Sequence, residues 1–306
     1  MIKPIERILH SLLLLILIGA FSSSVYYIKT APRITPAPKV TPAVASVPTA
    51  TRDLTSVEAF TPTPIPSPSG TIQATPDTGW SLLRPGLERR SIRIYNSQNQ
   101  LAETVYIWRL DQKYFRLDVA FDEKGKSLES WQKQTNASLV MNGGYFRTEN
   151  EKYLPNGLMI IHGKASGKSY QGYGGMLAID EYRAELRWLV ERPYLSQGRL
   201  QAALQSFPIL VKPGGQLGFG AEREDHKQAR RTVIGQDRDG RLLFIVAPQG
   251  YFTLHQLSVY LTESDLDLDT ALNLDGGGST GILVANPREL IPSKTLLPFV
   301  ILAYAR

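Results

Sequence analysis

Asn273-Leu274-Asp275-Gly276-Gly277-Gly278-Ser279-Thr280 decides how the rest of this chain is read. It lies between Thr270-Ala271-Leu272 and Gly281-Ile282-Leu283-Val284, two short apolar runs that read as strands. Glycine has no Cβ, so a turn with three in a row reaches φ > 0 and brings bare N–H groups up to a bound anion. Asp275 adds a carboxylate at the mouth of the turn, and Ser279 and Thr280 add hydroxyls. An ordinary hairpin needs one or two glycines, usually as Asn-Gly or Asp-Gly. This turn exceeds that need and points to a ligand. It is no nucleotide loop, because Gly278 stands where the phosphate-binding Lys of such a loop belongs.

A second glycine-rich turn comes after another strand. Ala137-Ser138-Leu139-Val140-Met141 is apolar enough to be buried and runs into Asn142-Gly143-Gly144-Tyr145-Phe146. Either the glycines only tighten the turn, or they let a ligand approach the backbone beside the Asn142 carboxamide. Pairing with the later turn favours the second reading. Arg230 and Arg231 open the strand Arg231-Thr232-Val233-Ile234-Gly235, and period two puts them on opposite faces, so one of the two is expected to line a site. Glu222, Glu224 and Asp225 shortly precede them.

Other polar clusters have plainer explanations. Gly214–Gly220 lacks the spacing of a dinucleotide loop and opens no apolar-periodic helix. Asp237-Arg238-Asp239-Gly240 is a hairpin turn between strands rather than a calcium loop, since the later ligand positions hold Leu242–Val246. Asp265, Asp267 and Asp269 read as a solvated approach loop. Thr253–Ser264 is the clearest helix, with Thr253 and Gln256 as a capping box and Leu254, Leu257 and Leu261 as its buried stripe. His255 lies beside that stripe as a surface or supporting residue.

The N-terminus differs in kind. Between Arg7 and Lys29 no charged side chain appears, and Ile8–Ile28 is about long enough for one membrane-spanning helix. A cleavable signal peptide with a cut near Gly19–Ser24 is the competing reading, and both export the remainder of the chain. Residues 30–79 hold half of the chain's 20 prolines, many threonines and one aromatic, Phe60, the composition of a disordered tether. The expected organisation is an anchor or signal peptide (1–29), a linker (30–79), an N-terminal part of the folded region (80–136) and a main domain (137–306).

From Trp80 onward most segments are short strands. Tyr106, Trp108 and Leu110 share one face, and Val105, Ile107 and Arg109 the other. Lys126–Thr135 reads as a short helix with Leu128 and Trp131 inward. The expected fold is α+β, a mixed or antiparallel β-sheet domain with few helices. With 306 residues, 42% of them apolar, the chain buries a sizeable core. The absence of cysteine excludes a disulfide framework and thiolate metal sites. The net charge of +6 is scattered, with no basic stripe for nucleic acid.

Taken in order, four segments resemble the phosphodiester glycosidase family: Met141–Phe146, Phe207–Val211, Arg231–Gly235, and the run from Thr253 to Thr280. The resemblance covers residues 137–306. It implies a hydrolase that cleaves the glycosidic bond of a sugar-1-phosphodiester, here membrane-tethered and extracytoplasmic, acting on glycan or envelope material. The alternative on the same fold is a non-catalytic glycan-binding or envelope-scaffold module. Expulsion of a phosphate monoester needs less protonation than expulsion of an alcohol, so the site must chiefly stabilise phosphate charge and an oxocarbenium-like centre. Asp275, Arg231 and Asn142 are the expected catalytic residues. Asp275 serves as nucleophile, base or electrostatic partner, and Arg231 forks onto phosphate oxygens. Asn273, Gly143, Gly144, Gly276, Gly277, Gly278, Ser279, Thr280 and Thr232 are expected to bind substrate. Glu222, Glu224 and Asp225 are candidates for a second acid, and whether a divalent cation joins Asp275 and the asparagines stays open.

Overall fold

In a computed structural model, residues 76–170, 174–196 and 199–306 are described. The expected membrane segment and residues 30–75 of the expected linker lie outside them. Among the described residues no helix is long and apolar enough to cross a membrane.

In chain order the strands are β1 (Ser81–Arg84), β2 (Leu87–Tyr95), β3 (Leu101–Leu110), β4 (Phe115–Lys126), β5 (Leu139–Asn142), β6 (Phe146–Glu149) and β7 (Lys152–Pro155). Next come β8 (Met159–Ile161), β9 (Lys164–Ser166), β10 (Gly175–Ile179), β11 (Ala184–Trp188), β12 (Ala202–Ser206), β13 (Ile209–Lys212) and β14 (Gln216–Leu217). The last are β15 (Arg231–Asp237), β16 (Leu242–Ala247), β17 (Leu268–Asn273), β18 (Ile282–Val284), β19 (Glu289–Ile291) and β20 (Leu297–Ala305). The α-helices of the described residues are α1 (Leu128–Thr135) and α2 (Leu254–Glu263).

The strands form an eight-stranded sheet (β1-β2-β3-β16-β15-β17-β13-β14) and two five-stranded sheets (β11-β10-β12-β8-β9 and β19-β18-β5-β20-β4), with the hairpin β6-β7 apart. Each pairing that builds the three sheets is antiparallel. The expected sheet-dominated fold with few helices is what forms, with antiparallel pairing throughout.

Period two explains the layering. Trp108 and Leu110 of β3 enter a core shared by all three sheets, with Leu117 and Val119 of β4, Leu139 and Met141 of β5, Leu177 of β10 and Leu204 of β12. Val105 and Ile107, on the opposite face of β3, pack in a second core beneath Leu257 and Leu261 of α2. Leu128 and Trp131 of α1 cover the outer face of β5, β18 and β20, and the Trp131 indole N–H donates to the Leu297 carbonyl at 2.8 Å. Full burial of each such Leu, Ile or Phe side chain stabilises the fold by roughly 1.5–3 kcal/mol. The capping box of α2 forms as expected, between Thr253 and Gln256.

Residues 80–136 supply β1–β4 and α1, and they enter two of the sheets. β3 pairs with β16 from Tyr106↔Val246 to Leu110↔Leu242, and β4 pairs with β20 along most of its length. Contact with the fold begins before Trp80. The Pro76 carbonyl accepts from Arg93 N–H, Thr78 N–H donates to the Ser91 carbonyl, and Asp77 pairs with the buried Arg90. Arg90's other acidic partner, Asp265, is largely exposed. A chain starting at Trp80 should therefore unfold more readily than one starting at Gly70. The expected difference is about 1 kcal/mol, the value of a charge-assisted hydrogen bond discounted for the partial exposure of Asp77. Urea titration of the two chains measures it.

Candidate functional site

The two glycine-rich turns meet, but not as neighbours along one sheet edge. β5 and β17 belong to different sheets, so the turns come together where the sheets abut. Asp275 N–H donates to the Gly143 carbonyl at 3.1 Å, and the Asn142 carboxamide nitrogen donates to the Asp275 carbonyl at 2.7 Å. Gly143 and Gly144 serve this junction. A Cβ on Gly143 would stand 3.1 Å from the Phe299 carbonyl oxygen, and one on Gly144 would stand 2.9 Å from that of Gln205. Their missing side chains let the turn pass between β20 and β12, a packing role in place of the expected ligand approach.

Asn142 is fully buried, and its carboxamide is engaged by the protein. Oδ1 accepts from the Thr232 hydroxyl at 2.9 Å and from Gly281 N–H at 3.0 Å, while Nδ2 holds Asp275. The expected direct role of Asn142 and Thr232 toward substrate thus gives way to positioning. Each side chain's partner is another wall of the site.

Asp275 is different. Its carboxylate accepts from Gly276 N–H at 2.9 Å and from the Ser279 hydroxyl, both neutral donors. Burial pushes its carboxyl above the ordinary aspartate range, and the two donors offset this in part. A carboxylate offers about four acceptor positions, so Asp275 keeps capacity for a ligand. The three glycines divide by cause. Gly276 and Gly277 do not present N–H groups to a ligand, since the first donates to Asp275 and the second to the Arg230 carbonyl at 2.8 Å. A Cβ on Gly276 would meet the Arg230 carbonyl oxygen at 2.7 Å. Gly277 sits at φ +59 with open space around the place a Cβ would take, so its need is backbone conformation. A Cβ on Gly278 would press on Thr295.

Arg231 begins β15 and is nearly buried. Its Nε donates to the Phe252 carbonyl at 3.1 Å and its Nη2 to the Lys227 carbonyl at 2.6 Å. Nη1 makes no hydrogen bond among the described residues. Burial lowers the guanidinium pKa from its ordinary value, while Tyr145, Asp225 and Glu224 oppose that shift electrostatically. Arg230 turns elsewhere, bracing the carbonyls of Pro248 and Pro292 at 3.0 and 2.9 Å, so the two arginines split as period two requires.

The three candidates for a second acid are otherwise occupied. Glu224 accepts from the Thr253 hydroxyl, His255 N–H and His226 N–H, which makes it an N-terminal brace for α2. Glu222 is exposed beside Arg223. Asp225 is exposed, and the Lys227 N–H holds its carboxyl below the ordinary range. The aspartates after α2 are dispersed too, Asp265 to Arg90 and Asp267 to Arg238, while Asp269 accepts from Gly214 N–H. Among the described residues no three acidic or histidine side chains converge as metal ligands.

Asn273 and Thr280 keep unused polar atoms. The Asn273 Nδ2 donates to the Tyr145 hydroxyl at 2.7 Å and to the Phe207 carbonyl at 3.0 Å, while its buried Oδ1 has no partner. The buried Thr280 hydroxyl has none either. Tyr145 stacks on Phe207 with centroids 4.6 Å apart, and Tyr170 meets Phe207 edge-on at 5.6 Å. These aromatics were missed by reasoning from sequence. The signal was Tyr145, directly after Asn142-Gly143-Gly144, whose hydroxyl joins Asn273 to the electrostatic surroundings of Arg231.

Residues 135–295, more than half of the chain, match the family model described as phosphodiester glycosidase. The chain belongs to the phosphodiester glycosidase family. Its fold is similar to that of the zebrafish N-acetylglucosamine-1-phosphodiester alpha-N-acetylglucosaminidase catalytic domain, auto-inhibited by pro-peptide. The TM-score is 0.59 at 18% identity, over 73% of this chain and 85% of that one. A hypothetical protein from Synechocystis is similar at TM-score 0.51 and 13% identity, over 76% of this chain and 64% of that one. No curated protein matches significantly in sequence. Family and fold are those of a glycosidase-type hydrolase.

Two stability measurements separate the roles of Asn142 and Asp275 in this family member. Asn142→Ala orphans a carbonyl, a hydroxyl and an N–H at once, and should cost about 3 kcal/mol or more in denaturant unfolding. Asp275→Asn should raise the melting temperature at neutral pH. A carboxyl raised by folding contributes stability that is complete below its unfolded pKa of about 3.9 and is lost as pH rises through the folded value. The gain from Asn should therefore vanish in melts recorded below about pH 4.

Proposed function

We propose that this protein is a membrane-tethered extracytoplasmic hydrolase that cleaves the glycosidic bond of sugar-1-phosphodiesters in glycan or envelope material. The observation that carries the reading is the Asp275 carboxylate, half-buried and held only by neutral donors, while Asn142 ties its backbone to Thr232, the residue after Arg231. A carboxylate with spare acceptor capacity suits an anomeric carbon that develops positive charge, as nucleophile, base or electrostatic partner. The open edge of the Arg231 guanidinium suits the departing phosphate monoester, whose low basicity makes a strong general acid unnecessary. That agrees with the engagement of Glu224 and the exposure of Glu222 and Asp225. The unpartnered Asn273 Oδ1, beside the Tyr145–Phe207 stack, offers an acceptor for a sugar hydroxyl and an apolar ring face. Segment 1–29 supplies the tether, and residues 30–75 the spacer that holds the domain off the membrane.

The test is release of sugar and phosphate monoester from a panel of sugar-1-phosphodiesters, with and without a chelator. Asp275→Asn should lower kcat by roughly 10²–10⁴-fold, the usual contribution of a positioned acid or base. Arg231→Lys keeps the charge but not the fork, and should weaken phosphate handling. Full turnover by Asp275→Asn on a substrate the wild type cleaves would sink the carboxylate assignment. No turnover on any panel member, with the sugar still bound, would move the protein to the glycan-binding class. Loss of turnover in chelator would add a divalent cation to the site.

A further inference from the structure

Glu103 is a buried acid with no place in the chemistry above. It sits on β3, outside the segment that matches the family, and has no measurable exposure. Its carboxylate accepts backbone N–H groups of Thr104 at 3.0 Å, Gln249 at 3.1 Å, Gly250 at 3.0 Å and Tyr251 at 3.3 Å. Four donors fill the acceptor capacity of a carboxylate, so nothing is left for a ligand. The β3–β16 ladder ends at Tyr106↔Val246, and the carboxylate takes up N–H groups that no strand pairs beyond that point. Burial raises the Glu103 carboxyl above its ordinary range, with the four donors opposing. The charged group acting on it is Arg230, just before β15, whose Nε holds the Pro248 carbonyl at the start of the same loop.

That loop leads straight to Phe252, whose carbonyl accepts from Arg231 Nε at 3.1 Å. We propose that Glu103 is a positioning residue for Arg231: its carboxylate fixes loop 248–252, and the Phe252 carbonyl at the end of that loop sets the direction of the guanidinium. The inference rests on reading Arg231 as the phosphate-handling group. It extends that site to a residue outside the family-matched segment. Two backbone carbonyls, those of Phe252 and Lys227, hold the guanidinium, so a shift of the first turns it about the second, and a bidentate fork tolerates little rotation before one of its two bonds is lost.

The experiment compares full-length wild type, Glu103→Gln, Glu103→Asp, Gly250→Ala and Arg231→Lys. Inorganic phosphate affinity is read by calorimetry, kcat and KM on a cleaved phosphodiester, and folding by thermal melts. Glu103→Gln replaces one carboxylate oxygen with an NH2 group that faces backbone donors. It should lose roughly tenfold in phosphate affinity, with KM rising more than kcat falls, the pattern of lost binding rather than lost chemistry. Glu103→Asp, which keeps the charge, should recover part of that loss. Gly250 sits at φ +88, so Gly250→Ala strains the loop while leaving the Glu103 side chain itself unchanged, and should reproduce the effect. Should Glu103→Gln fail to fold, Gly250→Ala decides alone. Wild-type phosphate affinity in folded Glu103→Gln or Gly250→Ala, alongside a loss in Arg231→Lys, overturns the positioning role and leaves the phosphate reading standing. Wild-type affinity in Arg231→Lys overturns the phosphate reading, and the proposal with it.

Discussion

The junction between two sheets that share no ladder is what the site depends on, and one carboxamide closes it. Backbone N–H and C=O groups inside a sheet find partners by pairing, but those at an abutment of sheets must find them elsewhere or remain orphaned. At this junction Asn142 meets a carbonyl from the turn after β17, a hydroxyl from β15 and an N–H from the residue before β18. A carboxamide puts its donor and its two-fold acceptor on separate atoms, which lets one side chain reach all three partners. A carboxylate there would face the Asp275 carbonyl with no hydrogen to give. By holding the backbone of Asp275, Asn142 leaves that residue's carboxylate little freedom beyond its own side-chain torsions.

The protein handles Glu103 and Asp275 in opposite ways. Glu103 is saturated by four N–H donors, the arrangement of a structural group with no acceptor left for a ligand. Asp275 receives one N–H and one hydroxyl and carries an unmet demand for partners. A group whose surroundings disfavour its charge, and whose acceptors are half filled, gains most when a positive centre develops beside it.

Much of the fold was legible because its signals are local. Alternation along β3 assigned Tyr106, Trp108 and Leu110 to one face and Val105 and Ile107 to the other, and these faces line different cores. Thr253 and Gln256 announced the start of α2 three residues apart. The motifs also picked out residues that meet in space, since Asn142, Thr232 and Asp275 form one network. What each residue does there was less legible. A glycine wanted for room, such as Gly144 against Gln205, looks in sequence like one wanted for φ, such as Gly277. Whether a carboxamide is free or engaged depends on partners more than a hundred residues away, as with Asn142 and Asp275. Glu103 resembles any polar residue of an alternating strand until the loop it holds is seen. The assignment of β5 and β17 to different sheets is likewise a matter of long-range register, which neither turn encodes.

The segment that matches the family is not the segment that folds. Residues 135–295 include β16 but not its neighbour β3, and they include β5 and β18 but not β20. Cut out alone, that segment would expose the edge of β16 in the larger sheet and leave β5 without one partner strand in the smaller. The shared core would also lose Trp108, Phe115, Phe299 and Ile301. β4 and β20 pair along eight registered positions, so the strand that opens this sheet and the strand that ends the chain are joined. The chemistry therefore sits on a central stretch whose two flanks complete its sheets. Substitutions on either flank, far from Asp275 in sequence, would act on the site through strand pairing and, at Glu103, through the loop its carboxylate holds.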